Sequence, residues 1–374
     1  MIRLILNSSL FILTSFLLAQ TTFTEHAIST SADGARSVYA IDMDGDGDID
    51  VLSASSFDDK IAWYENDGNE NFTEHAISTS SISADGAQSV YAIDMDGDGD
   101  VDVLSSSYFN NTVAWYENDG SESFSSHTIA TTLPISSAGS VYATDVDSDG
   151  DVDVLSASHY GFIAWHENNG SESFTAHTIT TSVDVALSVY ATDVDGDGDV
   201  DVLSASKNDD KIAWYENNGS ESFTAHTITT SADWATSVYA ADVDGDGDVD
   251  VLSASRADDK IAWYENNGSE SFTAHTITTS ADEASDVYAT DVDGDGDVDV
   301  LSASENDDKI AWYENDGSES FTARTITTGA DYALSVYATD VDGDGDVDVL
   351  SASRNDNKIA WYEQTDVPVP GCTD

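Results

Sequence analysis

The sequence predicts an all-β fold: a seven-bladed β-propeller with four antiparallel strands per blade, the N-terminal strand completing the last blade. Three observations predict it. A run of the form Asp-x-Asp-x-Asp-Gly-x-x-Asp begins at Asp42, Asp94, Asp145, Asp193, Asp242, Asp291 and Asp340, with spacings of 52, 51, 48, 49, 49 and 49 residues. Each copy carries an Ala-Trp pair, ending in Trp63, Trp115, Trp165, Trp214, Trp263, Trp312 and Trp361. A Phe-x-x-His/Arg-x-Ile element recurs from Phe23 to Phe321. A period near 50 suits a propeller blade and exceeds a leucine-rich or β-helix repeat.

The fourth copy shows one unit. Ser188–Thr192 is a short β-rich run, followed by the aspartate loop. Val200–Ser206 is a second run, Asn208-Asp209-Asp210 a turn, and Ile212–Glu216 a third run. Asn218-Gly219 has the chemistry of a tight hairpin turn, and Phe223–Ile228 is the fourth strand. β-Branched and aromatic residues dominate, and no helical period is present. The first repeat element at Phe23 is of the fourth-strand type and the last at Trp361 is of the third. The N-terminal segment can therefore supply the strand the seventh repeat lacks, pairing two edges that would otherwise be open. The tryptophans read as core between blades. The histidines recurring in the fourth strand (His26, His75, His127, His177, His226 and His275) read as strand-surface residues, since equivalents spread round a ring cannot form one site.

Composition limits the partners. Among 374 residues, 11 Lys+Arg stand against 73 Asp+Glu, a net charge of −62. Nucleic acid and anionic membranes need a basic face, so both are excluded. With 40% apolar and 10% aromatic residues a core can still form. The single cysteine, Cys372, allows neither a disulfide nor a cysteine-based metal site. Residues 1–19 read as a secretory signal peptide, residues 20–365 as the propeller and residues 366–374 as a linker or tail. The expectation is a secreted, monomeric propeller with no membrane insertion.

The loops carry the chemistry. The first offers Asp42, Asp44, Asp46, Asp48 and Asp50, and the second Asp94, Asp96, Asp98, Asp100 and Asp102. The third offers Asp145, Asp147, Asp149, Asp151 and Asp153, and the fourth Asp193, Asp195, Asp197, Asp199 and Asp201. Asp242, Asp244, Asp246, Asp248 and Asp250 follow, then Asp291, Asp293, Asp295, Asp297 and Asp299, and finally Asp340, Asp342, Asp344, Asp346 and Asp348. Carboxylates on alternate residues with a glycine turn can converge on Ca²⁺, which takes six to eight oxygens, whereas Mg²⁺ keeps its waters. One ion per loop would bring the net charge to about −48. At free calcium of ~10 to ~100 times Kd, each site would add roughly 1.4 to 2.7 kcal/mol. Calcium is thus expected to be structural.

On these loops, as in Asp193-Val-Asp-Gly-Asp-Gly-Asp-Val-Asp followed by Val202-Leu203, the chain resembles the FG-GAP/VCBS repeat family, which includes the integrin α-subunit propeller. The resemblance covers about residues 21–363. It implies that the loop joins the first and second strands of a blade and holds calcium on one rim, and it implies extracellular adhesion or ligand recognition. The family's Phe-Gly and Gly-Ala-Pro signatures are missing, and Ser-Ala-Ser stands near the latter's place.

The seven copies differ from one another mainly before the first strand and between the second and third. These two connections lie at the same end of an up-down blade. Phe57, Tyr108, Tyr160, Trp234 and Tyr332 are the aromatic candidates for ligand binding, with Arg256 and Arg354 placed to meet an acidic group. The expected partner is an extracellular protein or a glycan. A multivalent lectin with a pocket beside each tryptophan is the alternative. Catalysis is not expected, because sevenfold sameness offers no singular constellation.

Overall fold

The computed structural model describes residues 20–131 and 137–367. The expected signal peptide, residues 1–19, and tail residues 368–374 lie outside them. Among the described residues 28 strands, β1 to β28 in chain order, pair antiparallel and form seven four-stranded sheets. The first blade is β2 (Ala35–Ile41), β3 (Asp50–Ser55), β4 (Lys60–Asn66) and β5 (Phe72–Ser78). Each later blade repeats this order. The last is β26 (Ala333–Thr339), β27 (Asp348–Ser353) and β28 (Lys358–Val367), completed by β1 (Gln20–Ser29).

The ring closes as the displaced termini require. β1 pairs with β28 from Gln20↔Val367 to Ser29↔Ile359, so the last strand runs two residues into the segment expected to be linker. Thr22 and Thr365 join by their hydroxyls at 3.2 Å, and Lys358 reaches Glu25 at 2.9 Å.

Burial grades outward through each blade. The first strands pack round the axis, the second and third are buried almost throughout, and the fourth faces solvent. One core cluster lies between each pair of neighbouring blades. Leu52, Ile61 and Trp63 of the first meet Val90, Val103 and Tyr116 of the second. The cluster of Leu350 and Trp361 with Val38, Val51 and Tyr64 seals the last blade against the first.

The seven tryptophans are 0–1% exposed, the inter-blade core the sequence predicts. The fourth-strand histidines lie over them, with His75 stacked on Trp63 at 4.6 Å and 27°. Its Nε2 meets Glu65 at 2.7 Å. In the sixth blade Arg324 replaces histidine, with its guanidinium 5.4 Å from the Trp312 ring. The indoles are buried, and a cleft of about 70 Å³ lined by Trp63, Asp44 and Glu122 lies beside one of them.

Candidate functional site

The aspartate loops join the first and second strands, and their backbone is held by their own carboxylates. In the first loop the two oxygens of Asp42 accept from Gly45 N at 2.8 Å and Gly47 N at 3.1 Å. Asp44 Oδ1 accepts from Asp46 N, and Asp46 Oδ1 from Asp48 N. Gly47 sits at φ +100°, a conformation that only glycine takes readily. In the third loop Ser148, standing where the others have glycine, is held at φ +62°.

The ninth-position aspartate is a buried staple. Asp50 Oδ2 accepts from Met43 N at 3.0 Å and Oδ1 from Asn66 N at 2.7 Å, which ties the loop to the end of β4. Burial pushes the carboxyls of Asp50, Asp102, Asp153, Asp201, Asp250 and Asp348 up to about 6, and that of Asp299 to about 7. The Asn66 side chain bonds Ile49 O in its own blade and Val341 O in the neighbouring one.

These loops gather carboxylates. Oxygens of Asp42, Asp44 and Asp50 lie within 4.8 Å of one another, as do those of Asp94, Asp96 and Asp102, and those of Asp145, Asp147 and Asp153. In the fourth and fifth loops the group is Asp193, Asp195 and Asp197, and Asp242, Asp244 and Asp246. Three like charges at this spacing, with no Lys or Arg paired to them among the described residues, make an all-oxygen donor set that fits a hard divalent cation. The seventh-position side chains lie elsewhere. Asp48 lies against Gly68 in the turn after β4, where a Cβ would collide with its carboxylate. Asp100, Asp151, Asp199, Asp248 and Asp297 meet Gly120, Gly170, Gly219, Gly268 and Gly317 in the same way. The sequence counts five acids per loop, but each of these groups is built from three. Between neighbouring loops on this rim lie clefts, one of about 380 Å³ between the last and first blades.

The axis is lined by a ring that sequence reasoning missed: Tyr39, Tyr91, Tyr142, Tyr190, Tyr239, Tyr288 and Tyr337, with neighbouring ring centroids 4.8–5.0 Å apart. The signal was the Val-Tyr-Ala of every copy, in which the tyrosine points away from the valine's core face. One channel position breaks the symmetry. Asp286, a serine in the other copies, accepts from Ser237 Oγ at 2.8 Å and Val336 N at 3.0 Å, joining three blades. Burial pushes its carboxyl up to about 6.

At the other end, the two variable connections of each blade meet, as expected. The residue following the second strand donates its N–H to the residue that opens the first: Ser56 to Gly34 O, Lys207 to Val185 O, Arg256 to Trp234 O and Arg354 to Tyr332 O. The accepting residue has a left-handed backbone in every copy. It is Gly34 and Gly86 in two blades, but Ser137, Val185, Trp234, Glu283 and Tyr332 hold φ of +51° to +63° in the rest. Left-handed backbone costs a side-chain-bearing residue roughly 1–2 kcal/mol.

The predicted ligand residues are only partly brought together. Arg354 lies over Phe57 at 4.8 Å and Tyr332 at 5.5 Å, and Arg256 bonds the Tyr332 hydroxyl at 3.2 Å. Arg256 also lies 5.9 Å from the Trp234 ring. It is not available to a partner's acid, because Glu283 and Glu305 already hold it. Tyr108 packs on His159 at 5.0 Å. Tyr160, 67% exposed, stands apart at the rim, whereas Phe57 and Trp234 are 58% and 41% exposed within the group. Arg36, His159, Lys207 and Glu305 join this group and were not singled out as site residues. Their signal was their place in the two variable connections.

No curated protein matches this sequence. Among solved structures, the WD40 β-propeller domain of Doa1 is similar at 15% identity and a TM-score of 0.66, covering 93% of this chain and 98% of that one. BBS1N, in its complex with ARL6DN, is similar at 10% identity and 0.63, covering 92% and 96%. An Agrocybe aegerita lectin, described as recognising non-reducing terminal N-acetylglucosamine, is similar at 18% identity and 0.54, covering 83% and 81%. At these identities the likeness is one of fold. The FG-GAP-like repeat family matches residues 42–105, 94–156, 145–204, 193–253, 242–302 and 291–351, each window running from one aspartate loop through the next. The chain therefore belongs to the FG-GAP-like repeat family.

Proposed function

We propose that this is a secreted, non-catalytic ligand-recognition module in which calcium holds the aspartate rim and the opposite, variable rim meets an extracellular partner. One observation carries the reading. Trp234, Glu283 and Tyr332 keep large side chains on left-handed backbone where two blades of the same chain use glycine. Strain of this kind persists where the side chain itself is needed. The sevenfold rim is a scaffold, and the strained rim is where the copies differ. An adhesion-type role fits a rigid ring with loops for contact.

Calcium, at the Asp42, Asp44 and Asp50 group and its equivalents, would neutralise carboxylates that otherwise repel one another. The residues themselves fix the loop by hydrogen bonds from backbone N–H groups. A glycan array probed in millimolar calcium, with chelated protein as control, tests the reading, together with Trp234→Ala and Tyr332→Ala. Loss of binding in the variants at an unchanged melting temperature supports it, and unchanged affinity sinks it.

A further inference from the structure

In a chain with so large an acid excess, a cation should find a carboxylate. Lys60, Lys211, Arg256, Lys260, Lys309, Arg324 and Lys358 each do. Arg36, Lys207 and Arg354 do not: among the described residues none has a carboxylate within ion-pair distance. All three stand on the variable rim. Their partners are a hydroxyl and aromatic faces. Arg36 Nε donates to Ser56 Oγ at 3.2 Å. Lys207 Nζ lies 4.1 Å from the centre of the Trp234 ring, and Arg354 lies over Phe57 and Tyr332. Arg354 Nε is buried with no acceptor.

These cations come from the first, fourth and seventh blades: Arg36 and Arg354 stand in adjoining blades, and Arg36 and Lys207 both bear on His159. Burial and the nearby Arg354 charge lower the Arg36 guanidinium to about 10. Burial, Lys207 and Arg36 push His159 down to about 4, so it is neutral at physiological pH. Of the acids on this rim, Glu283 and Glu305 are taken up by Arg256, and Asp184, Asp210, Asp308 and Asp331 accept hydrogen bonds from Asn208, Trp234, Tyr332 and Asn355.

Resting on the recognition reading above, we propose that Arg36, Arg354 and Lys207 form an axial site for the carboxylate of an acidic sugar, a uronic acid. Guanidinium groups match a carboxylate's two oxygens with paired N–H donors. The rings of Tyr332, Phe57 and Trp234 beside them offer apolar faces to the C–H face of a pyranose. The far rim of aspartate loops does not oppose this. Strands of this length hold it about 20 Å away, and at physiological salt charges are screened beyond about 8 Å.

The test is titration calorimetry of the whole calcium-loaded chain with D-glucuronate, its methyl ester, glucose and acetate. Glucuronate is expected to bind at least tenfold more tightly than the other three. Arg36→Gln combined with Arg354→Gln should weaken it at least tenfold, with the melting temperature unchanged. Lys207→Gln provides a second, separate loss should the double variant fold poorly. Equal binding of glucose or the ester, equal binding of acetate, or undiminished binding in folded variants would each overturn the proposal. Binding of an acidic peptide in place of glucuronate would overturn it too. If array ligands are neutral glycans that need Trp234 but not Arg36, the recognition reading stands and this inference falls. If no ligand depends on Trp234 or Tyr332, the recognition reading itself fails.

Discussion

Without calcium, the ring should become more stable as the solution is made mildly acidic, and calcium should reverse the slope. The ninth-position aspartates are almost fully buried, and their folded carboxyls titrate near 6, above the ordinary aspartate value. A raised carboxyl means that the folded state holds the proton more tightly. Stability is then gained as pH falls through about 6 and lost as it rises. From about pH 7 to about pH 5 each such aspartate contributes about 1.3 kcal/mol, so seven give roughly 8–10 kcal/mol. His166, buried and pushed down to about 4, works against this. The unfolded chain takes up its proton below about 6.5, which costs about 2 kcal/mol over the same range. His159 acts in the same direction and costs about 2 kcal/mol more. The net gain is roughly 4–6 kcal/mol, or about 5–8 °C of melting temperature for an unfolding entropy of about 0.7 kcal/mol/K. With calcium bound the carboxylates are held ionised, protons compete with the ion, and the melting temperature should fall over the same interval. Scanning calorimetry in excess chelator and in millimolar calcium reads both slopes. A chelated protein that melts lower at pH 5, or two parallel curves, would refute the reasoning.

Four further outcomes are expected. His166→Tyr, matching the tyrosine found in the other blades, should raise the acid-side melting temperature by a few degrees, because it removes the buried group that opposes protonation. Asp195→Asn should leave the chelated melt nearly unchanged but remove one ion from the calcium stoichiometry, read by titration calorimetry. Val185→Gly should stabilise by about 0.5–1 kcal/mol in denaturant unfolding, since relief of roughly 1–2 kcal/mol of left-handed strain exceeds the added chain entropy of glycine. Deleting residues 20–29 should leave β28 as an open edge and shift the protein toward oligomers in size-exclusion chromatography.

The strands and the closure were legible because they rest on local signals repeated in register: the Val-Tyr-Ala run, the Ala-Trp pair, the Asn-Gly turn and the displaced Phe23. The aspartate loops were legible as chemistry. Their division of labour was not. That Asp50 staples β4 while Asp48 turns toward Gly68 depends on where the next hairpin lies. The cationic mouth was harder still. Arg36, Lys207 and Arg354 are far apart in sequence, and only ring closure brings the first and seventh blades side by side. Nor does a sequence say that Arg256 is already held by Glu283 and Glu305, which removes one of its two predicted anion-binding arginines.

The closure strand also fixes how the molecule would respond to tension. Gln20 and Val367 are paired at the outer end of an antiparallel ladder that runs back to Ser29 and Ile359. Force drawing the two ends apart meets the backbone hydrogen bonds one after another, as in a zipper, and never loads them all in parallel. The ring therefore has a single designated opening point. Under tension β1 would peel from the seventh blade while the other six keep their packing, and on release it would find its partner again over a short distance.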